Sequence, residues 1–157
     1  MNVELTVNGE RVRVDVRADD MLLDVLNGLG LASVRETCGI GVCGACTVLL
    51  DGELASACLL LAPLAEGRHV TTVEGLGGSH PVQRAFVEAH AFQCGYCTPG
   101  MVLAAARLLE ETPQPSEAEI RLALAGNLCR CGCYVKIGEA VRLAAAASDG
   151  KEGTWTS

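Results

Sequence analysis

The sequence predicts an α+β protein in which a small sheet-and-helix unit is followed by an all-helical unit. Apolar residues alternate with polar ones in the first half of the 157-residue chain, whereas beyond Gly75 they recur with the period of an α-helix. The turn dipeptides Asn8-Gly9 and Asp51-Gly52 interrupt the alternating segments, as β-hairpins require. Because 50% of the residues are hydrophobic but only 3% are aromatic, Ala, Leu and Val must fill the interior.

The N-terminal unit is predicted to occupy residues 1–75. Its elements follow one another as a hairpin over 3–16, a short helix over 21–28, a second hairpin over 46–58 and a last strand over 68–74. Asp20 is placed to cap the helix. Gly75, Gly77 and Gly78 then predict a flexible joint, and we place the domain boundary there.

The C-terminal unit is predicted to occupy residues 76–148 as a small helix bundle, followed by a flexible tail over 149–157. The four helical segments are 81–92, 99–111, 116–127 and 134–148. Pro81 and Pro99 suit first-turn positions, and Ser116 with Glu119 has the spacing of a capping box.

Charge and hydropathy narrow the functional classes. The net charge is −7 and no run of Lys or Arg occurs, so we expect no nucleic-acid partner. The longest apolar run, over residues 54–65, is broken by Ser56 and Pro63 and is too short to cross a bilayer, so we expect no membrane span. The first residues lack the basic and apolar regions of a secretory signal, so a cytoplasmic location is expected.

The nine cysteines point to metal ligation. In a reducing compartment structural disulfides are rare, and an odd number of cysteines cannot pair completely. The first three lie in the stretch CGIGVCGAC, whose glycines Gly39, Gly41 and Gly44 also match the G-x-G-x-x-G pattern. A dinucleotide loop must follow a buried strand and open a helix, but here an irregular polar segment precedes the loop and a strand follows it. A metal loop is therefore favoured.

The spacing of the first cysteines is that of a plant-type [2Fe–2S] site. Cys38, Cys43 and Cys46 are separated by four and then two residues, and Cys58 follows at a distance. Glycines between the ligands let the loop wrap tightly and leave backbone N–H groups free to face the sulfurs. An all-cysteine zinc site is the alternative.

A second set of cysteines lies in the helical unit. Cys94 and Cys97 precede one predicted helix, and Cys129 and Cys131 precede another. Helix N-termini stabilise thiolates, so the four sulfurs could form a second [2Fe–2S] site. Redox chemistry of the thioredoxin type is the alternative for Cys94 and Cys97, although the expected βαβ setting is missing.

Three segments carry a resemblance to a known family. ETCGIGVCGACTVLLDG, FQCGYCTPGMVLAA and AGNLCRCGCYVKI resemble the small iron–sulfur subunit of the molybdenum hydroxylases, the family of xanthine oxidase, aldehyde oxidoreductase and carbon monoxide dehydrogenase. The resemblance spans roughly residues 3–147, with the motifs in the order of the family. It implies a plant-type ferredoxin-like β-grasp domain followed by an all-α four-helix bundle domain, each with one [2Fe–2S] cluster.

The resemblance also implies partners and electron flow. A large molybdopterin-bearing subunit would hydroxylate the substrate, and electrons would leave through the helical-domain cluster and then the β-grasp cluster towards FAD. The FAD would lie on a medium subunit, and a dimer of heterotrimers would be the assembly.

Roles of individual residues follow from the same resemblance. The ligands of the outer cluster would be Cys38, Cys43, Cys46 and Cys58, and those of the cluster nearest molybdenum would be Cys94, Cys97, Cys129 and Cys131. Gln93 matches a glutamine that contacts the pterin, with Cys131 lying against it. An ordinary polar loop residue is the alternative for Gln93.

One position departs from the family. Cys133 stands where the family usually has glycine. It could be a small buried thiol, a surface thiol open to oxidation or a substitute ligand, and we favour the thiol interpretations.

Other chemistry is not indicated. His69, His80 and His90 lack the Cys-x-His pairing of a Rieske centre, and no carboxylate pair or nucleophile–base set supports catalysis by this chain alone. We therefore expect an electron-transfer subunit without catalytic residues of its own. The alternative is a free-standing [2Fe–2S] ferredoxin or redox sensor, which would be a monomer with a polar surface throughout.

Overall fold

The N-terminal half is built on a mixed five-stranded sheet. A computed structural model describes residues 1–148, and the predicted tail 149–157 lies outside the described residues. The elements of this half are β1 Asn2–Val7, β2 Glu10–Asp15, α1 Leu22–Gly28, β3 Thr47–Leu50, β4 Glu53–Ser56 and β5 His69–Thr71. The strand order is β2-β1-β5-β3-β4, with β1 and β5 parallel and the other neighbours antiparallel.

Both predicted hairpins are confirmed. β1 and β2 pair with Val7 opposite Glu10, so that Asn8 and Gly9 form a two-residue loop with φ of 51° and 87°. Two successive positive φ values identify the turn type that matches the twist of the strands. The alternating side chains of β1 enter the core, where Val3 and Leu5 are buried.

The helix α1 is confirmed, but its predicted cap is wrong. Met21 occupies the N-cap position and makes no side-chain capping bond. The Asp20 carboxylate instead accepts the amide of Arg17 at 2.8 Å, which closes the preceding turn. Leu22 and Leu26 of α1 are fully buried in the same core as the sheet.

The C-terminal half contains four helices among the described residues. They are α2 Pro81–Glu88, α3 Thr98–Glu111, α4 Glu117–Ala123 and α5 Tyr134–Ser148. The predicted capping box of Ser116 and Glu119 is confirmed at α4, and Pro81 begins α2. The helix α2 is shorter than predicted because His90 adopts a left-handed φ of 50° and the amide of Ala91 returns to the Phe86 carbonyl at 2.9 Å.

The segment that connects the halves begins with a short 3₁₀ turn over Val73–Leu76, which includes Gly75 of the predicted joint. The Asn8 side chain accepts the Thr72 amide at 2.8 Å and donates to the Thr72 hydroxyl at 2.9 Å, while Gln83 donates to the Val73 carbonyl at 3.1 Å. The connection is therefore hydrogen-bonded to both halves.

Buried apolar residues form two separate cores, one in each half of the chain. In the second core, Phe86, Met101, Ile137 and Val141 are each at most 1% exposed. The helix α3 packs against β3 and β4 and so joins the halves. Across residues 1–148, no helix has both the length and the apolar character that spanning a membrane requires.

Candidate metal centres

The first group of cysteines lies where the chain passes from α1 to the sheet. The loop over residues 38–46 leads into β3, and Cys58 follows β4, so the sheet holds both ends of the group. Cys46 and Cys58 are buried, whereas Cys38 and Cys43 are partly exposed. The buried pair faces the core and the other pair faces the surface of the loop.

The four sulfurs of this group form two close pairs. The Cys38 thiol is within hydrogen-bonding range of the Cys43 thiol, and the Cys46 thiol is within range of the Cys58 thiol. Backbone N–H groups, that of Ile40 above all, donate to the Cys38 sulfur and lower the pKa of this thiol to about 6. Burial raises the pKa of Cys46 to about 11.

The second group of cysteines lies at the N-terminal ends of two helices, as predicted. Cys97 is the N-cap of α3, and Cys129 and Cys131 precede α5. Cys94 contacts Cys131 and Cys97 contacts Cys129, so the sulfurs again form two pairs. The Cys133 thiol makes a further contact with Cys129. The members of each pair come from different segments, so the pairs tie the two helix starts together.

The electrostatics of the second group differ between its members. The backbone N–H of Tyr96 donates to the Cys94 sulfur and lowers the pKa of that thiol. Burial raises the pKa of Cys97 to about 12. Burial also acts to raise the pKa of Cys129, but hydrogen bonds, first among them that from the Cys133 backbone, outweigh it and lower the pKa overall.

The paired arrangement fits a two-iron cluster. A [2Fe–2S] cluster with four cysteine ligands takes two thiolates on each iron, whereas zinc needs all four ligands around one point. Each group offers two pairs of sulfurs.

Gln93 and Cys133 lie together beside the second group. Gln93 is exposed, and its side chain contacts the Cys133 thiol. Cys133 is only 7% exposed, so the interpretation as a surface thiol is wrong. Its backbone amide lies 3.4 Å from the Cys129 sulfur, and burial raises the pKa of its own thiol. The contact between Gln93 and Cys133 was not foreseen from the sequence.

The two groups of cysteines meet through their backbones. The carbonyl oxygen of Cys43 accepts the amide of Leu128 at 2.8 Å, one residue before Cys129. The buried side chain of Asn127 donates to the Gly44 carbonyl at 3.1 Å and to the Thr47 hydroxyl at 3.3 Å. Sequence analysis missed Asn127, although a polar side chain that is only 6% exposed needs partners of this kind.

Two glycines permit this close approach. A Cβ atom on Gly100 of α3 would lie 2.2 Å from the Gly44 carbonyl oxygen. A Cβ on Gly44 would lie 2.5 Å from the Gly126 carbonyl oxygen, and the φ of Gly44 is 71°. Both positions therefore require glycine, because a side chain there would push the two halves apart.

The histidines take no part in either group. His80 is the N-cap of α2, where its Nδ1 accepts the amide of Val82 at 3.2 Å. Burial lowers the pKa of His80. His69 and His90 are exposed, as expected for surface residues.

Both halves of the chain match known families. Residues 5–72 match the family described as a 2Fe-2S iron-sulfur cluster binding domain, and residues 72–142 match a [2Fe-2S] binding domain. One of the nicotinate dehydrogenase subunits of Pseudomonas putida is 48% identical over 147 residues, covering 91% of this chain and 94% of that protein. The nicotinate dehydrogenase small FeS subunit of Eubacterium barkeri is 45% identical, and the match covers 92% of this chain and 94% of that protein.

Solved structures give the same result. A chain of quinoline 2-oxidoreductase from Pseudomonas putida superposes with a TM-score of 0.91 at 40% identity. The match covers 98% of this chain and 98% of that one. The aldehyde oxidoreductase of Desulfovibrio desulfuricans gives a TM-score of 0.90 at 42% identity, with 95% of this chain matching 17% of that longer one. In that protein the matching part is thus one portion of a single larger polypeptide.

Proposed function

The chain belongs to the family of [2Fe–2S] iron–sulfur subunits of the molybdenum hydroxylases, and on that basis we propose that it relays single electrons from a molybdopterin site towards FAD or another acceptor. It is one subunit of an oxidoreductase and binds two [2Fe–2S] clusters. When bound, each cluster accepts and releases one electron, which splits a two-electron oxidation into single steps. The chain itself provides the ligands, the spacing and the docking surfaces.

The proposed ligands are the eight paired cysteines. Those of the first cluster are Cys38, Cys43, Cys46 and Cys58, and those of the second are Cys94, Cys97, Cys129 and Cys131. The assignment is supported by the contacts that divide each group into two pairs of sulfurs. Cys133 also contacts Cys129, but we propose that it lies outside the ligand set as a buried thiol.

The observation that carries the relay is the hydrogen bond between the two cysteine loops. Cys43 is a proposed ligand of the first cluster, and its carbonyl accepts the amide of Leu128 at 2.8 Å. Leu128 is bonded directly to Cys129, a proposed ligand of the second cluster. Electron tunnelling is more efficient through bonds than through gaps, so this contact provides a short route from one ligand to the other.

Exposed apolar side chains around both centres support partner subunits. Near the first centre, Ile40, Val42 and Leu59 are 66%, 57% and 58% exposed, and we propose that a medium FAD-binding subunit covers them. A large molybdopterin-bearing subunit is the other partner. We propose that Gln93 and Cys131 contact its pterin, which is supported by the exposure of Gln93. A dimer of heterotrimers is the proposed assembly.

The domain division is also a proposal. The chain is α+β, and its first part is a ferredoxin-like domain. We propose a β-grasp domain over 1–75 and a four-helix bundle over 76–148, supported by the two separate apolar cores.

The proposed location is the cytoplasm, which keeps cysteines reduced for cluster assembly. Because the relatives include proteins named for nicotinate and quinoline, aromatic nitrogen heterocycles are the first substrate class to assay with the whole complex.

The test starts from native material with its partners attached. The chain should carry about four irons and give two EPR signals on reduction, with molybdenum in the co-purifying large subunit. Cys131→Ser should abolish one signal, whereas the matched control Cys133→Ser should retain both. Loss of a signal in the Cys133 variant alone would reverse the ligand assignment.

Other results would contradict the relay itself. A chain that binds about two irons, or that prefers zinc, cannot hold two clusters in series. A monomer that contains iron but no co-purifying molybdenum would indicate a free-standing ferredoxin instead.

A further inference from the structure

Arg35 belongs to the first half of the chain, but its guanidinium binds the turn between Cys94 and Cys97 in the second half. The Arg35 Nη1 donates to the carbonyl oxygens of Gly95 and Tyr96, at 2.7 and 2.8 Å. The guanidinium carbon lies 4.9 Å from the centroid of the Tyr96 ring. The Tyr96 hydroxyl in turn donates to the Glu36 carbonyl at 2.7 Å. Contacts in both directions therefore join Arg35 and Glu36 to the turn between Cys94 and Cys97.

One of the two carbonyls that Arg35 holds belongs to a peptide unit that faces a cysteine sulfur on its other side. The Gly95 carbonyl shares a peptide unit with the Tyr96 N–H, and that N–H donates to the Cys94 sulfur. In a trans peptide the C=O and N–H bonds point in opposite directions. The unit therefore lies between the guanidinium at its oxygen and the thiol at its nitrogen.

This arrangement strengthens the hydrogen bond to the sulfur. A cationic donor on the carbonyl polarises the peptide, and hydrogen bonds in a chain reinforce one another. A stronger N–H donor on a ligand sulfur stabilises the more negative, reduced form of an iron–sulfur cluster.

We infer that Arg35 is a positioning residue that raises the reduction potential of the second cluster through the Gly95–Tyr96 peptide. The inference rests on the proposed function, in which Cys94 is a ligand of that cluster. It also means that the first domain helps to set the potential of the centre in the second domain. The order of potentials along the relay then depends on the contact between the domains.

The test is an EPR redox titration of the full chain, loaded with both clusters, for wild type, Arg35→Gln and Arg35→Lys. At a fixed solution potential, Arg35→Gln should lower the reduced-to-oxidised ratio of the second cluster about three- to tenfold, where tenfold corresponds to ~59 mV for one electron. Arg35→Lys keeps the charge, so its shift should be smaller than that of Arg35→Gln. The first cluster should shift less than the second in both variants.

Arg130→Gln is the matched control. Arg130 stands between two proposed ligands of the second cluster but is exposed, so its charge is screened by water and salt. Its removal should change the potential of the second cluster much less than Arg35→Gln does. A shift as large as that of Arg35→Gln would show a general charge effect and overturn the inference.

Failure of the inference and failure of the proposed function give different results. The inference alone is overturned if the wild type has two EPR signals and about four irons, but Arg35→Gln leaves both reduction potentials unchanged. Equal shifts of the two reduction potentials in Arg35→Gln would also overturn it. Fewer than four irons in the wild type would overturn both. If Arg35→Gln loses iron or its native circular dichroism, the same titration of a second neutral variant, Arg35→Met, decides the question, since an unchanged second cluster there would overturn the inference.

Discussion

Gly100→Ala should destabilise the protein, although alanine is normally the better helix residue. Gly100 lies in the first turn of α3, where an added Cβ would come within 2.2 Å of the Gly44 carbonyl oxygen. Cβ atoms essentially never approach another heavy atom closer than 3.0 Å, so α3 and the first cysteine loop must separate by about 0.8 Å or more. The obstacle is backbone, which cannot rotate away as a flexible side chain would.

The magnitude follows from two opposing contributions. Overpacking costs about 1–3 kcal/mol, and replacing Gly by Ala within a helix gains about 1 kcal/mol. Since a backbone obstacle puts the cost in the upper part of its range, we expect a net loss of about 1–2 kcal/mol in the free energy of unfolding. For a chain of this size that loss lowers the Tm by about 2–8 °C.

Gly138→Ala is the matched control in α5. A Cβ there would have only Arg142 Nη1 nearby, at 3.9 Å, so the helix preference should raise the Tm by about 2–4 °C. Thermal unfolding of the cluster-loaded proteins, followed at one scan rate by circular dichroism and visible absorbance, measures both changes. A Gly100→Ala protein that melts at or above the wild type would refute the close approach of α3 to the first cysteine loop.

Three further substitutions test other contacts by the same thermal assay. Asn127→Ala removes both buried donor bonds, including that to Gly44, and should cost about 2 kcal/mol; an unchanged Tm would show that the bonds contribute nothing. Arg107→Gln breaks the 2.6 Å ion pair with Glu53 between α3 and β4, and should lower the Tm in low salt more than in high salt; a loss independent of salt would contradict the electrostatic origin. Ser116→Ala removes the cap of α4 and should cost about 1 kcal/mol; an unchanged Tm would show that the cap does not stabilise the protein.

Local chemistry accounts for the elements that the sequence predicted well. Two successive residues that tolerate positive φ specified both hairpins, and the spacing of Ser116 and Glu119 specified the start of α4. The predicted cap of α1 and the predicted end of α2 were wrong because other local interactions formed at these positions. Asp20 accepts the amide of Arg17 instead of capping α1, and His90 turns the chain away after α2 although the apolar pattern continues to Ala91.

Cysteine spacing was enough to predict the two candidate groups of cysteines. Spacing indicates which cysteines belong to one group, but it does not reveal contacts between groups. Arg35 and Gly95 are 60 residues apart, and Asn127 and Gly44 are 83 residues apart. Partners at such separations are chosen by the packing of α3 against the sheet, which no local pattern encodes.

The hydrogen bond between Cys43 and Leu128 makes the two cysteine loops mechanically interdependent. A substitution that displaces the Cys43 backbone also acts on the residue before Cys129, so a change in the geometry of one loop is passed on to the other.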